Sequence, residues 1–166
     1  MVELLTADGR FLEGHAGAME RAAQRQDCLI ERKVRDAGLR PTRQRIALAG
    51  LLFAKGDRHL SAEELHEEAI AAGVPVSLAT VYNTLHQFTG AGMLRILSVE
   101  GSKTYFDTNI SDHHHFYIEG ENRVVDIAKG PVTVSNLPEP PAGMEIANVD
   151  IVVRLRRKRT GSRSAG

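Results

Sequence analysis

His113, His114 and His115 stand side by side after Asp112 and before Phe116-Tyr117-Ile118. Imidazole exchanges a proton near neutral pH and, when neutral, is a ready ligand for divalent metals. Along an extended strand successive side chains point to opposite faces, so His113 and His115 share one face and His114 takes the other. One pair could converge on a metal and leave a third imidazole free for another task. Taken alone, the triplet reads equally well as a solvated polar loop.

The elements around it must decide. At 166 residues the chain can hold one ordinary domain or two small ones. With 42% hydrophobic and 25% charged residues it fits a soluble globular protein. No apolar run approaches the roughly 18–20 residues of a membrane span. The start, Met1 to Asp8, lacks the basic and apolar regions of a signal peptide, so the expected location is the cytoplasm. Cys28 is the sole cysteine, which excludes an internal disulfide and a multi-cysteine zinc site. Formal net charge is zero, so attraction to nucleic acid must be local. It is uneven: Arg35, Arg40, Arg43, Arg45, Lys55 and Arg58 face only Asp36 and Asp57 within 35–58. The stretch from Arg154 to Arg163 is basic without an acid, while 107–150 is acidic.

Residues 1–25, with Gly9, Gly14 and Gly17, read as a flexible arm. A helix is expected from Gln26 to Ala37, stopped by Gly38, and another from Pro41 to about Gly56. Ser61-Ala62-Glu63-Glu64 has the form of a capping box and opens a helix that stops at Gly73. Ser77 caps the next, through Leu78, Val81, Leu85 and Phe88. Two short helices joined by Gly73-Val74-Pro75-Val76 fit a helix-turn-helix, with the Ser77 helix in the recognition position, although an ordinary three-helix core has the same spacing. Met93–Val99 and Lys103–Asp107 alternate as strands around Glu100-Gly101-Ser102, and a hairpin there is a wing. A second hairpin follows, His115–Glu119 and Arg123–Ile127. Pro131, Pro138, Pro140 and Pro141 then break any long helix, and Val149, Ile151, Val153 and Leu155 alternate as a last strand. Three strands cannot bury both faces of a sheet, so this half is expected to pair with a second copy.

Gly38-Leu39-Arg40-Pro41-Thr42-Arg43-Gln44-Arg45, His59-Leu60-Ser61-Ala62-Glu63-Glu64-Leu65 and Ser77-Leu78-Ala79-Thr80-Val81-Tyr82-Asn83-Thr84-Leu85 resemble the ferric uptake regulator family, over roughly Leu39 to Arg154. Within it, the undivided histidine triplet and the missing cysteine pairs resemble the haem-responsive iron response regulator branch. The resemblance implies an α+β protein: an N-terminal winged helix-turn-helix over 26–107, a hinge at 108–112, a small C-terminal α/β dimerisation and sensory domain over 113–156, and a basic tail over 157–166. It implies a homodimeric transcription factor on a pseudo-palindromic operator. It also implies a metal site of His59, Asp107, His113, His115 and Asp126, with Asp107 to His115 aligning without a gap to peroxide-sensing members. Imidazoles with carboxylates suit iron, manganese or zinc.

Two features depart from the family. Ile118 and Glu121 stand where many members carry the Cys-x-x-Cys pair of a structural zinc site, so that site is absent. Cys28 is followed by Leu29, so the Cys-Pro haem motif of some haem-responsive members is absent too. Haem ligation then falls on His113, His114 and His115, with His114 directed away from the other two. In the recognition helix Ser77, Thr80, Tyr82 and Asn83 are candidate DNA contacts, Tyr82 and Asn83 at base edges. Arg40, Arg43, Arg45 and Lys103 are candidates for phosphate. Tyr82 has packing, and the arginines a solvated face, as their plainer roles.

The leading expectation is a regulator of iron and haem genes, active when iron is scarce and released from DNA by haem. The alternative is a repressor activated by divalent iron or manganese. A small non-haem iron enzyme, from two histidines and a carboxylate, and a haem-buffering protein are more distant, since neither gives the wing module a purpose.

Overall fold

The computed structural model describes residues 11–99, 103–128 and 132–158. Four helices come first, α1 (Phe11–Asp36), α2 (Arg43–Phe53), α3 (Ala62–Ala71) and α4 (Leu78–Gly90), with the two-residue strand β1 (His59–Leu60) between α2 and α3. Then come β2 (Arg95–Ser98), β3 (Thr104–Asp107), β4 (His115–Ile118), β5 (Arg123–Asp126) and β6 (Val152–Leu155).

Local chemistry accounts for the helix ends. Thr42, Ser61 and Ser77 are N-caps whose side chains accept from the backbone N–H three residues on, and Ser61 with Glu64 completes the reciprocal capping box. Gly38 and Gly73 follow α1 and α3 with φ of 78° and 71°, a left-handed conformation in which any Cβ is strained. The helices bury one stripe each: Leu48, Ala49 and Leu52 from α2, Leu65 and Ala69 from α3, Val81, Leu85 and Phe88 from α4. With Val34, Leu60, Met93, Leu94 and Phe106 these form the larger core.

The strands make two three-stranded sheets. In the first, β3 lies between β1 and β2, both antiparallel to it, so the wing hairpin gains a third strand that hydrophobic patterning did not reveal. In the second, β4 pairs antiparallel with β5 and parallel with β6. Alternation along β3 sends Phe106 into the helical core, while Tyr105 and Asp107 look the other way. Tyr105 joins its cross-strand partner Leu97 and, from the second sheet, the cross-strand pair Tyr117 and Val124 in a smaller core. The two sheets therefore meet face to face.

Three expectations change. The helix expected from Gln26 begins at Phe11, so the flexible arm does not hold over 11–25; residues 1–10 lie outside the described residues. Small residues at Ala18, Ala22 and Ala23 favour helix there. The last strand starts at Val152 rather than Val149, because only 152–155 lie in register with β4. In the second unit no helix occurs among the described residues, and 132–151 runs without regular structure. The Glu100-Gly101-Ser102 turn and the tail from 159 lie outside the described residues.

Candidate metal centre and recognition helix

The registers build the site. His59 on β1 is the cross-strand partner of Asp107 on β3, and His115 on β4 is the partner of Asp126 on β5. Directly paired residues project to the same face, so each sheet presents one imidazole and one carboxylate to the space between them. His113, two residues before His115, adds a third imidazole from the same side. His114 is not part of the cluster. The structure thus brings together all five residues that the resemblance named.

Their distances are short. Oδ2 of Asp107 lies 3.0 Å from His113 Nε2 and 3.5 Å from both His59 Nε2 and His115 Nε2. Oδ1 of Asp126 lies 3.1 Å from His59 Nε2, 3.3 Å from His113 Nε2 and 3.9 Å from His115 Nε2. Asp107 and His115 are buried, and the His59 and His113 side chains nearly so. Yet none of these five atoms has a hydrogen-bond partner. They point at a common centre rather than at one another.

Orphaned buried polar atoms are costly and call for a partner. A divalent ion meets this set well. Bonds of about 2.1 Å to nitrogen and oxygen place neighbouring donors roughly 3.0–3.5 Å apart, close to what is seen. Three nitrogens favour a first-row transition ion over calcium or magnesium, which take oxygen. Burial pushes the Asp107 carboxyl up, but the His115 and His59 imidazoles and the Asn109 N–H outweigh it and hold it well below the usual carboxylate range. That N–H donates to Oδ1 at 2.8 Å, leaving Oδ2 to the centre. His113 Nδ1 donates to the Ser111 carbonyl at 2.7 Å.

The candidate DNA residues divide. Ser77 Oγ and Thr80 Oγ1 lie 2.9 Å apart and are occupied in the α4 cap. Tyr82 donates its hydroxyl to Glu63 Oε1 at 2.8 Å and packs against the helical core, which ties α3 to α4. Arg45 holds Gln87 Oε1 at 2.6 and 3.1 Å and the Arg40 carbonyl at 2.8 Å, bracing the start of α2 against α4. Arg40, Arg43, Asn83 and Lys103 are exposed. Sequence reasoning missed Glu63, Asn109, Ser111 and Arg95. Asn109 was legible as a polar residue two after Asp107, and Arg95 as the position that hairpin register sets opposite Asp107.

Residues 36–154 match the model of the ferric uptake regulator family. The chain belongs to the ferric uptake regulator family. A ferric uptake regulation protein from Vibrio anguillarum is 38% identical over 81 residues, 49% of this chain and 54% of its own length, so the match spans about half of that relative. The ferric uptake regulation protein of Pseudomonas aeruginosa is 29% identical over 129 residues, 76% of this chain and 96% of its own length. A solved ferric uptake regulator from Pseudomonas aeruginosa, with manganese, superposes with a TM-score of 0.59 at 25% identity, covering 78% of this chain and 98% of that one. The ferric uptake regulator of Vibrio cholerae gives 0.60 at 24% identity and supports the shared fold. The family is one of transcription regulators, so the enzyme alternative falls away.

Proposed function

We propose that the protein is a metal-dependent, DNA-binding transcription regulator of the ferric uptake regulator family, answering to a divalent ion such as iron or manganese. The five converging, unpartnered donors carry this reading. Residues 26–107 would form the DNA-binding unit, 108–112 the hinge and 113–156 the dimerisation and sensory unit. His59, Asp107, His113, His115 and Asp126 would hold the ion, which supplies coordinate bonds and positive charge between two carboxylates. Asp107 remains anionic, and His113, fixed through Nδ1, offers Nε2. His59 lies two residues before Ser61, the cap of α3, so any adjustment of the site reaches the helix-turn-helix within one turn. Joining the two sheets would narrow the range of wing geometries and shift the population that fits an operator. Asn83, Arg40, Arg43 and Lys103 would meet the DNA, with the regulator in the compartment that holds it.

The homodimer reading rests on the second sheet. Its outer face carries Phe116, Ile118, Val125, Val153 and Leu155, with Val153 and Leu155 each 38% exposed and the exposed Arg123 beside Ile118 at its rim. An apolar face of this kind fits the same face of a second copy.

The haem-responsive reading keeps one observation, the buried and unpartnered Nδ1 of His114 outside the cluster. His113 and His115 are committed to the five-donor centre, which weakens a haem site built from all three. Binding of the protein to its own promoter DNA separates the readings. Chelator should abolish the complex and manganese(II) should restore it, with added haem changing nothing. Release by haem from chelator-treated protein would favour the haem reading instead.

A further inference from the structure

The metal reading leaves one charged residue unused beside the site. Arg95 stands on β2 directly opposite Asp107, on the side of β3 away from His59, so His59, Asp107 and Arg95 form one row across the first sheet. Its side chain is 19% exposed. Nη1 donates to the Ser111 carbonyl at 2.6 Å, and Nη2 is paired with Asp150, just before β6. The Ser111 carbonyl is also the acceptor for His113 Nδ1. One oxygen therefore receives the guanidinium and the imidazole together.

We propose that Arg95 is a positioning residue of the metal centre, which holds the Ser111 carbonyl, and through it the His113 ring, in the form that ligates. The proposal rests on the metal reading above. A carbonyl oxygen only accepts, so Nδ1 of His113 must carry a proton, and in the neutral ring, the form that ligates, Nε2 presents its lone pair to the centre. Fixing the carbonyl fixes both the tautomer and the plane of the ring, as outer partners of metal-bound histidines do. The planar fork matters: one arm meets the loop that carries His113 and the other meets Asp150 of the second unit. The wing, the hinge and the strand entering β6 are thereby fastened at a single side chain, beside the ligands but not among them.

The test uses full-length wild type, Arg95→Leu and Arg95→Lys, with manganese(II) affinity by calorimetry and the His113 tautomer of the metal-free protein by nitrogen-15 NMR. Wild type should show the Nδ1–H tautomer. Arg95→Leu should bind manganese(II) about 10- to 100-fold more weakly and show His113 in mixed tautomers. Lysine cannot span both acceptors, so Arg95→Lys should lose about 10-fold; this variant decides if Arg95→Leu does not fold. Unchanged affinity and tautomer in a folded variant, beside a wild type that binds, overturn the proposal and leave the metal reading standing. A wild type that takes up no manganese(II) overturns the metal reading, and the proposal falls with it.

Discussion

His59 Nε2 and Asp126 Oδ1 lie 3.1 Å apart although they belong to sheets that share no strand. Their approach closes the five-donor cluster from both sides, and it depends on the smaller core of Leu97, Tyr105, Tyr117 and Val124 that presses the sheets together. A change at the site is therefore a change in how the wing sits against the second unit.

Single substitutions should sort the three adjacent histidines. His113→Ala and His115→Ala each remove a donor, and manganese(II) affinity should fall by more than about 100-fold, beyond the range typical of an outer partner. His114→Ala should leave it unchanged. Calorimetric titration of the three variants reads the difference, and equal losses at all three would contradict the five-donor centre.

Glu68 gives a pH signature remote from the centre. It accepts from Arg58 at 2.7 and 3.1 Å and from Lys55 at 2.9 Å. Burial pushes its carboxyl up, but the hydrogen bonds from Arg58 and Lys55 outweigh this and lower it. A lowered folded value means stability that is present above the unfolded value, about 4.3, and lost as pH falls through the folded one. Glu68→Gln should cost about 1 kcal/mol at pH 7. Chemical denaturation across pH should show that gap closing on the acid side.

In the recognition helix, stability and DNA affinity should separate. Tyr82→Phe removes the bond to Glu63 and should cost about 1 kcal/mol while leaving affinity for promoter DNA nearly intact. The exposed Asn83, changed to alanine, should weaken that affinity with a melting temperature within a degree or two of wild type. Melting curves beside fluorescence anisotropy resolve the pair.

Association should follow the outer face of the second sheet. Val153→Asp places a charge within its apolar patch, on the edge strand β6, where pairing with another copy would leave it unsolvated. Sedimentation should show wild-type dimer and variant monomer, with the monomer retaining its helical signal.

What is local was legible in the chain itself. Caps at Ser61 and Ser77, the stops at Gly38 and Gly73, and the alternation around Tyr105 and Tyr117 act within an element or one turn of it. They sufficed to place the helix-turn-helix and both hairpins. The spacing of His113 and His115 already put two imidazoles on one face. The tertiary structure decided what comes from afar. Two residues, His59 and Leu60, become a strand only because β3 offers an edge to pair with. Four residues from Val152 become a strand only because β4 accepts them in parallel. Asp126 reaches His59, and Arg95 reaches Asp150, across separations that no periodicity spans. Those meetings follow from two sheets burying apolar faces against each other, a free energy summed over the whole interface and written in no single stretch.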